Sequence, residues 1–210
     1  MLPIGSILRH HGIDYHMYAD DTQLYVSFDV SNPSIAIDKI NLCISDLRTW
    51  MIKNKLMIND TKTEFLIITS TILKKMYDDI QLKVGNNIIS STANARNLGV
   101  IFDKCMDLDS HIGNVCKTTY FQLRNIGSIR NVLSDDACAQ LIHALVTVRI
   151  DYCNSLLYGL PDSSLFRLQK ILNTAARILC RIYKYDHISS TLRDLHWLPV
   201  RQRITFKVLI

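Results

Sequence analysis

Apolar and polar positions along this chain change their period part-way. Before about residue 103 they alternate two by two in short runs, apart from one helical stretch. Tyr15, Met17 and Ala19 alternate with His16 and Tyr18, and Leu24, Val26 and Phe28 alternate with Gln23, Tyr25 and Ser27. Alternation on both sides of a polar turn predicts a β-hairpin over 14–28 with Asp20 and Asp21 at its tip. Before it, Leu8–His11 predicts the end of a helix stopped by Gly12. After it, Asn32-Pro33-Ser34 opens a helix. That helix carries an apolar face of Ile35, Ile37, Ile40, Leu42, Ile44, Leu47 and Met51, with Trp50 in the core, and runs to about Asn54. A polar turn at Asn59–Thr61 leads to a predicted strand at 63–69. In the polar stretch 71–95, Gly85-Asn86-Asn87 predicts a hairpin turn between Ile80–Val84 and Ile88-Ile89. A further strand is expected over 95–103, where Gly99 suits a bulge or a close backbone approach.

From about residue 108 apolar residues recur every three or four positions. Ile112, Val115, Cys116, Tyr120, Leu123 and Ile126 predict a helix over 111–130. Ser134-Asp135-Asp136 caps a second, with interior Cys138, Leu141, Ile142, Leu145 and Val148, and 151–154 breaks it. Asp162 opens a third helix to about Ile182, with Leu165, Leu168, Ile171, Leu172, Ala175, Ala176 and Leu179 on its apolar face. A short helix over 186–196 and a final one from Leu198-Pro199 to Ile210 follow. Strands gathered in one half and helices in the other predict an α+β chain of two parts, 1–103 and 104–210.

At 210 residues, 48% hydrophobic and 20% charged, the chain has the composition of a globular protein. Residues 1–103 hold 10 Lys/Arg against 11 Asp/Glu, whereas 104–210 hold 14 against 8. A neutral part followed by a basic one suits a platform joined to a nucleic-acid clamp, and a solvated basic face gives the same numbers. Arg167, Lys170, Arg177, Arg181 and Lys184 recur at spacings that let them share one side of the third helix, which makes them the candidate phosphate contacts. No apolar run reaches the roughly 18 residues of a membrane span and no signal peptide opens the chain, so an intracellular protein without membrane contact is expected. The six cysteines form no Cys-x-x-Cys pair and read as reduced side chains rather than zinc ligands. His10 and His11 read as surface or pairing residues.

Two adjacent carboxylates repel unless a cation sits between them, and hard oxygen ligands suit Mg²⁺. Aspartates are also ordinary turn residues. The tetrad Tyr18-Ala19-Asp20-Asp21 in its strand context resembles the Tyr-X-Asp-Asp motif of reverse transcriptases. The whole run His16-Met17-Tyr18-Ala19-Asp20-Asp21-Thr22-Gln23-Leu24-Tyr25 resembles that of non-LTR, LINE-type retrotransposon polymerases of the jockey and chicken-repeat groups. Three further parts of the chain are similar to the same family. These are Asn59-Asp60-Thr61-Lys62-Thr63-Glu64, Leu98-Gly99-Val100-Ile101-Phe102-Asp103, and a C-terminal half containing Ile150–Asn154, Leu168–Asn173 and Leu195–Ile204.

The resemblance implies the second half of a polymerase palm, an antiparallel sheet with a covering helix, followed by an all-helical thumb and its continuation. It implies Mg²⁺ on Asp20 and Asp21, and Tyr18 and Ala19 beside the primer terminus. It also implies Lys62 near the leaving phosphates, where an ammonium neutralises or protonates pyrophosphate, and Leu98 and Gly99 near the primer grip. The implied partners are an RNA template, a DNA primer and deoxynucleoside triphosphates. In the family a third carboxylate stands on an earlier palm strand, and fingers hold the template. Only about a dozen residues precede this hairpin, so a 5′-truncated chain that does not extend primers alone is expected. The alternatives are a non-catalytic nucleic-acid-binding helical module and an inert relic.

Overall fold

The structure, a computed structural model, describes residues 3–73, 76, 77 and 79–210. Met1 and Leu2 of the lead-in, and Lys74, Lys75 and Asp78 of the polar stretch 71–95, lie outside the described residues. The protein is α+β, and it divides into two compact units, Met1–Ala95 and Arg96–Ile210. No described helix is long and apolar enough to cross a membrane.

In the first unit, helix α1 (Pro3–His10) ends as expected at Gly12, whose φ of +58° lets the Ile13 amide reach back to the Leu8 carbonyl. Strands β1 (Asp14–Tyr18) and β2 (Asp21–Tyr25) pair antiparallel in the register Tyr18 opposite Asp21. Helix α2 (Ser34–Lys53) packs on α1 through Leu8, Ile13, Cys43 and Leu47. Two polar ties join them: His11 Nε2 and Asp46 lie 2.8 Å apart, and Lys39 Nζ donates to the Gly12 carbonyl at 2.7 Å. The apolar face of α2 is narrower than its sequence predicts. Ala36, Cys43, Ile44 and Leu47 are buried, while Ile35 and Leu42 stand 68% and 59% exposed and Trp50 is only half-buried. One short helix and ribbons with strands of four or five residues cannot cover so wide an arc.

Strands β3 (Gln81–Val84) and β4 (Asn87–Ser90) turn at Gly85, again as expected. Its φ is +63°, and an added Cβ would meet the Arg48 guanidinium at 2.5 Å. That guanidinium donates to Asp60 at 2.6 Å, and Asn87 Nδ2 donates to the same carboxylate at 3.3 Å. Asn41 of α2 receives the Lys83 amide, which pins β3 to the helix. The expected strand at 63–69 enters no ladder among the described residues. Phe65 ties it to the chain beyond β4, its carbonyl accepting the Thr92 amide at 2.7 Å and the Thr92 hydroxyl at 3.1 Å. Among the described residues, strands therefore pair only with their hairpin neighbours, as two-stranded ribbons rather than one sheet.

The boundary between units falls within β5 (Asn94–Asn97), which pairs with β6 (Val100–Asp103). The expected continuous strand over 95–103 is thus a hairpin. Leu98 and Gly99, at φ 44° and 87°, form its turn, because two consecutive left-handed residues reverse the chain. Asp103 then organises the next loop by accepting the Cys105 and Asp107 amides at 3.0 and 3.2 Å.

The core of the second unit lies between α3 (Asp109–Ser128) and α6 (Asp162–Cys180), and includes Ile112, Leu123, Leu168, Ile171 and Leu172. Ser134 Oγ accepts the Ala137 amide at the start of α4 (Asp135–Ile142), the N-cap expected there. A π-helical run, His143–Thr147, follows α4 and leads into α5 (Val148–Asp151). Helices α7 (Ile188–Asp194) and α8 (Val200–Leu209) close the unit, and Gln169 Oε1 caps the Val200 amide at 2.8 Å. Buried Arg130 donates to the Ile178, Leu179 and Leu133 carbonyls and pairs with Asp135. It thereby satisfies carbonyls that the end of α6 leaves without intrahelical partners.

Candidate functional site

The hairpin expected to carry the acidic pair is formed. Its loop is Ala19-Asp20, where Ala19 adopts φ +52°, and Asp21 is the first residue of β2. A non-glycine residue in this conformation costs free energy and marks a tightly specified turn. Tyr18, Ala19, Asp20 and Asp21 are all exposed. The two carboxylates are therefore neighbours at the outer end of a ribbon, open to solvent.

Oxygen donors of this kind suit Mg²⁺, which binds through one or two carboxylates and keeps several waters. Among the described residues, no group of three or more His, Cys, Asp and Glu comes together to hold a metal. Asp20 and Asp21 thus fit one weakly held, largely hydrated cation. They do not fit a two-ion centre, whose metals sit about 3.5–4 Å apart between bridging ligands. Lys62 is exposed on a single 3₁₀ turn, Asp60–Lys62, and no hydrogen bond or ion pair joins it to either aspartate among the described residues. Leu98 and Gly99 sit in the second unit, where the Tyr152 hydroxyl donates to the Leu98 carbonyl at 2.6 Å and its ring lies against Gly99. The structure brings together Tyr18, Ala19, Asp20 and Asp21, and it does not add Lys62 to them.

The basic stripe expected on one helix does not hold together: α6 ends at Cys180, Lys184 lies in the turn beyond it, and the five cations have three destinations. Arg167 turns to α3, where it pairs with Asp109 and hydrogen-bonds the Cys116 thiol, whose pKa burial pushes up. Arg181 occupies the left-handed C-cap of α6 at φ 55° and adds to the positive field around Asp135. Lys170, Arg177 and Lys184, spaced by seven, line one groove of about 560 Å³ together with Tyr120, Asn173 and Thr174, and no acidic residue lines it. Burial, the largest influence on the Tyr120 hydroxyl, raises its pKa, while a hydrogen bond with Thr174 works the other way. The phenol keeps its proton and remains a donor.

A second groove, of about 520 Å³, lies along α3 and is lined by Lys117, Tyr120, Phe121, Arg124 and Arg149. The apolar periodicity of 111–130 points to none of Lys117, Phe121, Arg124 and Arg149. The available signal was Lys117 and Arg124 seven residues apart with Phe121 between them, since i, i+4, i+7 positions share a helix face. Arg149 had no such signal. It reaches this groove from α5, after the π-helical run has shifted the helix phase.

No family model, curated protein or solved structure matches the chain.

Proposed function

We propose that this chain derives from a LINE-type reverse transcriptase, with the first unit carrying part of the palm and the second a thumb-like helical region. The single observation that carries this reading is the Tyr18-Ala19-Asp20-Asp21 hairpin, a strained, solvent-open turn that presents two adjacent carboxylates. The parent reaction would be Mg²⁺-dependent addition of deoxynucleotides to a DNA primer end on an RNA template. Asp20 and Asp21 would be its metal ligands, and Lys62 would lie beside the leaving phosphates. The exposed apolar residues of α2 support a palm origin, because a helix covering a wider sheet would bury them.

The described residues, with two aspartates and no third ligand beside them, favour a protein that does not extend primers alone. The acid-free groove of Lys170, Arg177 and Lys184 favours retained nucleic-acid binding by the second unit. Primer extension on an RNA template with Mg²⁺ tests the first point, with Asp20→Ala as the control. Neither protein is expected to extend, and extension by the wild type alone would overturn the inactivity. Mn²⁺ titration followed by NMR tests the palm origin. Paramagnetic broadening is expected around residues 18–22 and should vanish in Asp20→Asn/Asp21→Asn; an unbroadened hairpin would remove the metal-ligand assignment.

A further inference from the structure

The polypeptide leaving α6 is organised for more than ending a helix. Arg181 takes the left-handed conformation, and the Ile182 amide reaches back to the Arg177 carbonyl at 3.2 Å. The next four residues close a hydrogen-bonded turn. The Asp186 amide donates to the Tyr183 carbonyl at 3.2 Å, and Asp186 Oδ2 accepts the Tyr183 amide at 3.0 Å. Arg177 ties this turn to the groove by donating from Nη2 to the Asp186 carbonyl at 3.3 Å, while its buried Nε–H has no acceptor among the described residues. The turn presents Tyr183 at 82% exposure and Tyr185 at 90%, on either side of groove-lining Lys184. The Lys184 ammonium lies 5.7 Å from the centre of the Tyr185 ring.

Single exposed tyrosines are ordinary. Two of them flanking a groove cation, on a turn already fixed by hydrogen bonds, form a pair of aromatic faces beside a groove lined by three cations. A duplex offers such faces little, because its bases are already stacked and paired; an unpaired strand offers every base.

We propose that this turn and groove bind single-stranded nucleic acid, with bases stacked on Tyr183 and Tyr185 and phosphates on Lys170, Arg177 and Lys184. Lys170 and Arg177, seven residues apart on α6, stand about 10.5 Å apart along the helix axis, far enough to take different phosphates of one strand. The three cations provide the sequence-independent attraction, and the two tyrosines provide the preference for an unpaired strand. This proposal rests on the nucleic-acid reading of the second unit, which by itself does not distinguish single strands from duplex.

Fluorescence anisotropy with oligo(dT), oligo(rU) and a blunt RNA–DNA hybrid of the same length tests it, using the full chain. Tyr183→Ser/Tyr185→Ser is expected to weaken binding of both single strands by roughly tenfold or more, and to leave hybrid binding within about twofold. Both residues are largely exposed, so the variant's thermal midpoint should match the wild type. Lys170→Gln/Arg177→Gln/Lys184→Gln should weaken all three ligands and flatten the logarithmic salt dependence for the single strands by about 0.7 per cation removed. Equal losses on oligo(dT) and oligo(rU) are expected, since either sugar leaves the base faces free. If the tyrosine variant binds single strands as the wild type does, or loses the hybrid equally, the stacking proposal fails and the general nucleic-acid reading stands. If none of the three ligands binds the wild-type chain, both fail.

Discussion

The two units of this protein differ most in what they manage to bury. The second gathers 21 buried apolar residues into one cluster that runs from Val100 of β6 through its helices to Ile204 of α8. The first gathers four among the described residues, Leu8, Ile13, Cys43 and Leu47, with other buried residues, such as Ile67, Tyr77, Leu82 and Val84, lying outside that cluster. Apolar content does not explain the gap, because the first unit leaves Ile35, Leu42, Ile52, Met57, Ile72 and Ile88 largely exposed. Pairing does. Helices of about twenty residues such as α3 and α6 present long faces that cover one another, whereas ribbons of four or five residues cover little and leave their edges open. Hydrophobic residues stabilise a fold only where the backbone supplies a surface to press them against.

The sharpest way to break this comparison is native-state hydrogen exchange. Amides in the middle of α3 and α6 should exchange only through global opening of the second unit. Those of β1, β2 and α2 should exchange through openings that cost at least about 2 kcal/mol less. Chemical denaturation followed by probes in each unit should accordingly show the first unit melting earlier. Coincident transitions and uniform protection would mean that the four-residue cluster understates how the first unit is held.

Arg130 offers the next largest effect. Its side chain is buried, and its guanidinium binds three carbonyls and one carboxylate. Arg130→Met keeps an unbranched apolar stem and removes the guanidinium, leaving these acceptors without their donor, and should destabilise the second unit by about 3 kcal/mol. Urea denaturation monitored in that unit would measure it. A loss below about 1 kcal/mol would show that water takes over the end of α6 without cost, so that apolar packing alone accounts for the larger core's stability.

Much of that core was legible beforehand. The helical faces of α3, α4 and α6 follow directly from three-to-four periodicity, and the Ser134 cap from residue type. The hairpin at Asp20 and the turn at Gly85 were equally readable, since each depends on a few neighbouring residues. What escaped the sequence depended on partners distant in the chain. Nothing near 63–69 says that its strand finds no ladder, and nothing near Leu98 announces a hairpin tip under Tyr152. The basic stripe illustrates the same limit: spacing puts five cations on one helix, but Asp109 captures Arg167, and the helix ends at Arg181. The three that share a groove were separable from the others only once α3 and the turn at Tyr183–Asp186 were in place.

The pH dependence of stability should differ between units in a way His111 controls. His111 is buried, and its Nδ1 receives the Ile101 amide at 3.4 Å, so burial depresses its pKa below 6.5. As pH falls past 6.5 the unfolded chain takes up the proton first, which favours unfolding. The contribution of His111 is therefore fully present above pH 6.5 and is lost as pH falls through the lower, folded-state value. The second unit's thermal midpoint should decline between pH 7 and 5, and His111→Asn, which keeps an acceptor and removes the titration, should flatten that decline. A slope unchanged by the substitution would assign the acid sensitivity to other groups.

The smallest expected effect probes the poorer packing directly. Ile35 and Leu42 belong to an apolar periodicity, yet they stand 68% and 59% exposed on α2. Replacing either with lysine therefore removes little buried area and exchanges a β-branched or apolar residue for one at least as compatible with a helix surface. Ile35→Lys and Leu42→Lys should each change stability by no more than about 0.5 kcal/mol, whereas Ile44→Lys, which buries a charge on the same helix, should unfold the first unit. Thermal denaturation of the three variants side by side separates the cases. A cost of about 2 kcal/mol or more at Ile35 or Leu42 would mean that the outer face of α2 is covered in solution, and the contrast between the two units would then lie in what covers them rather than in how much each can bury.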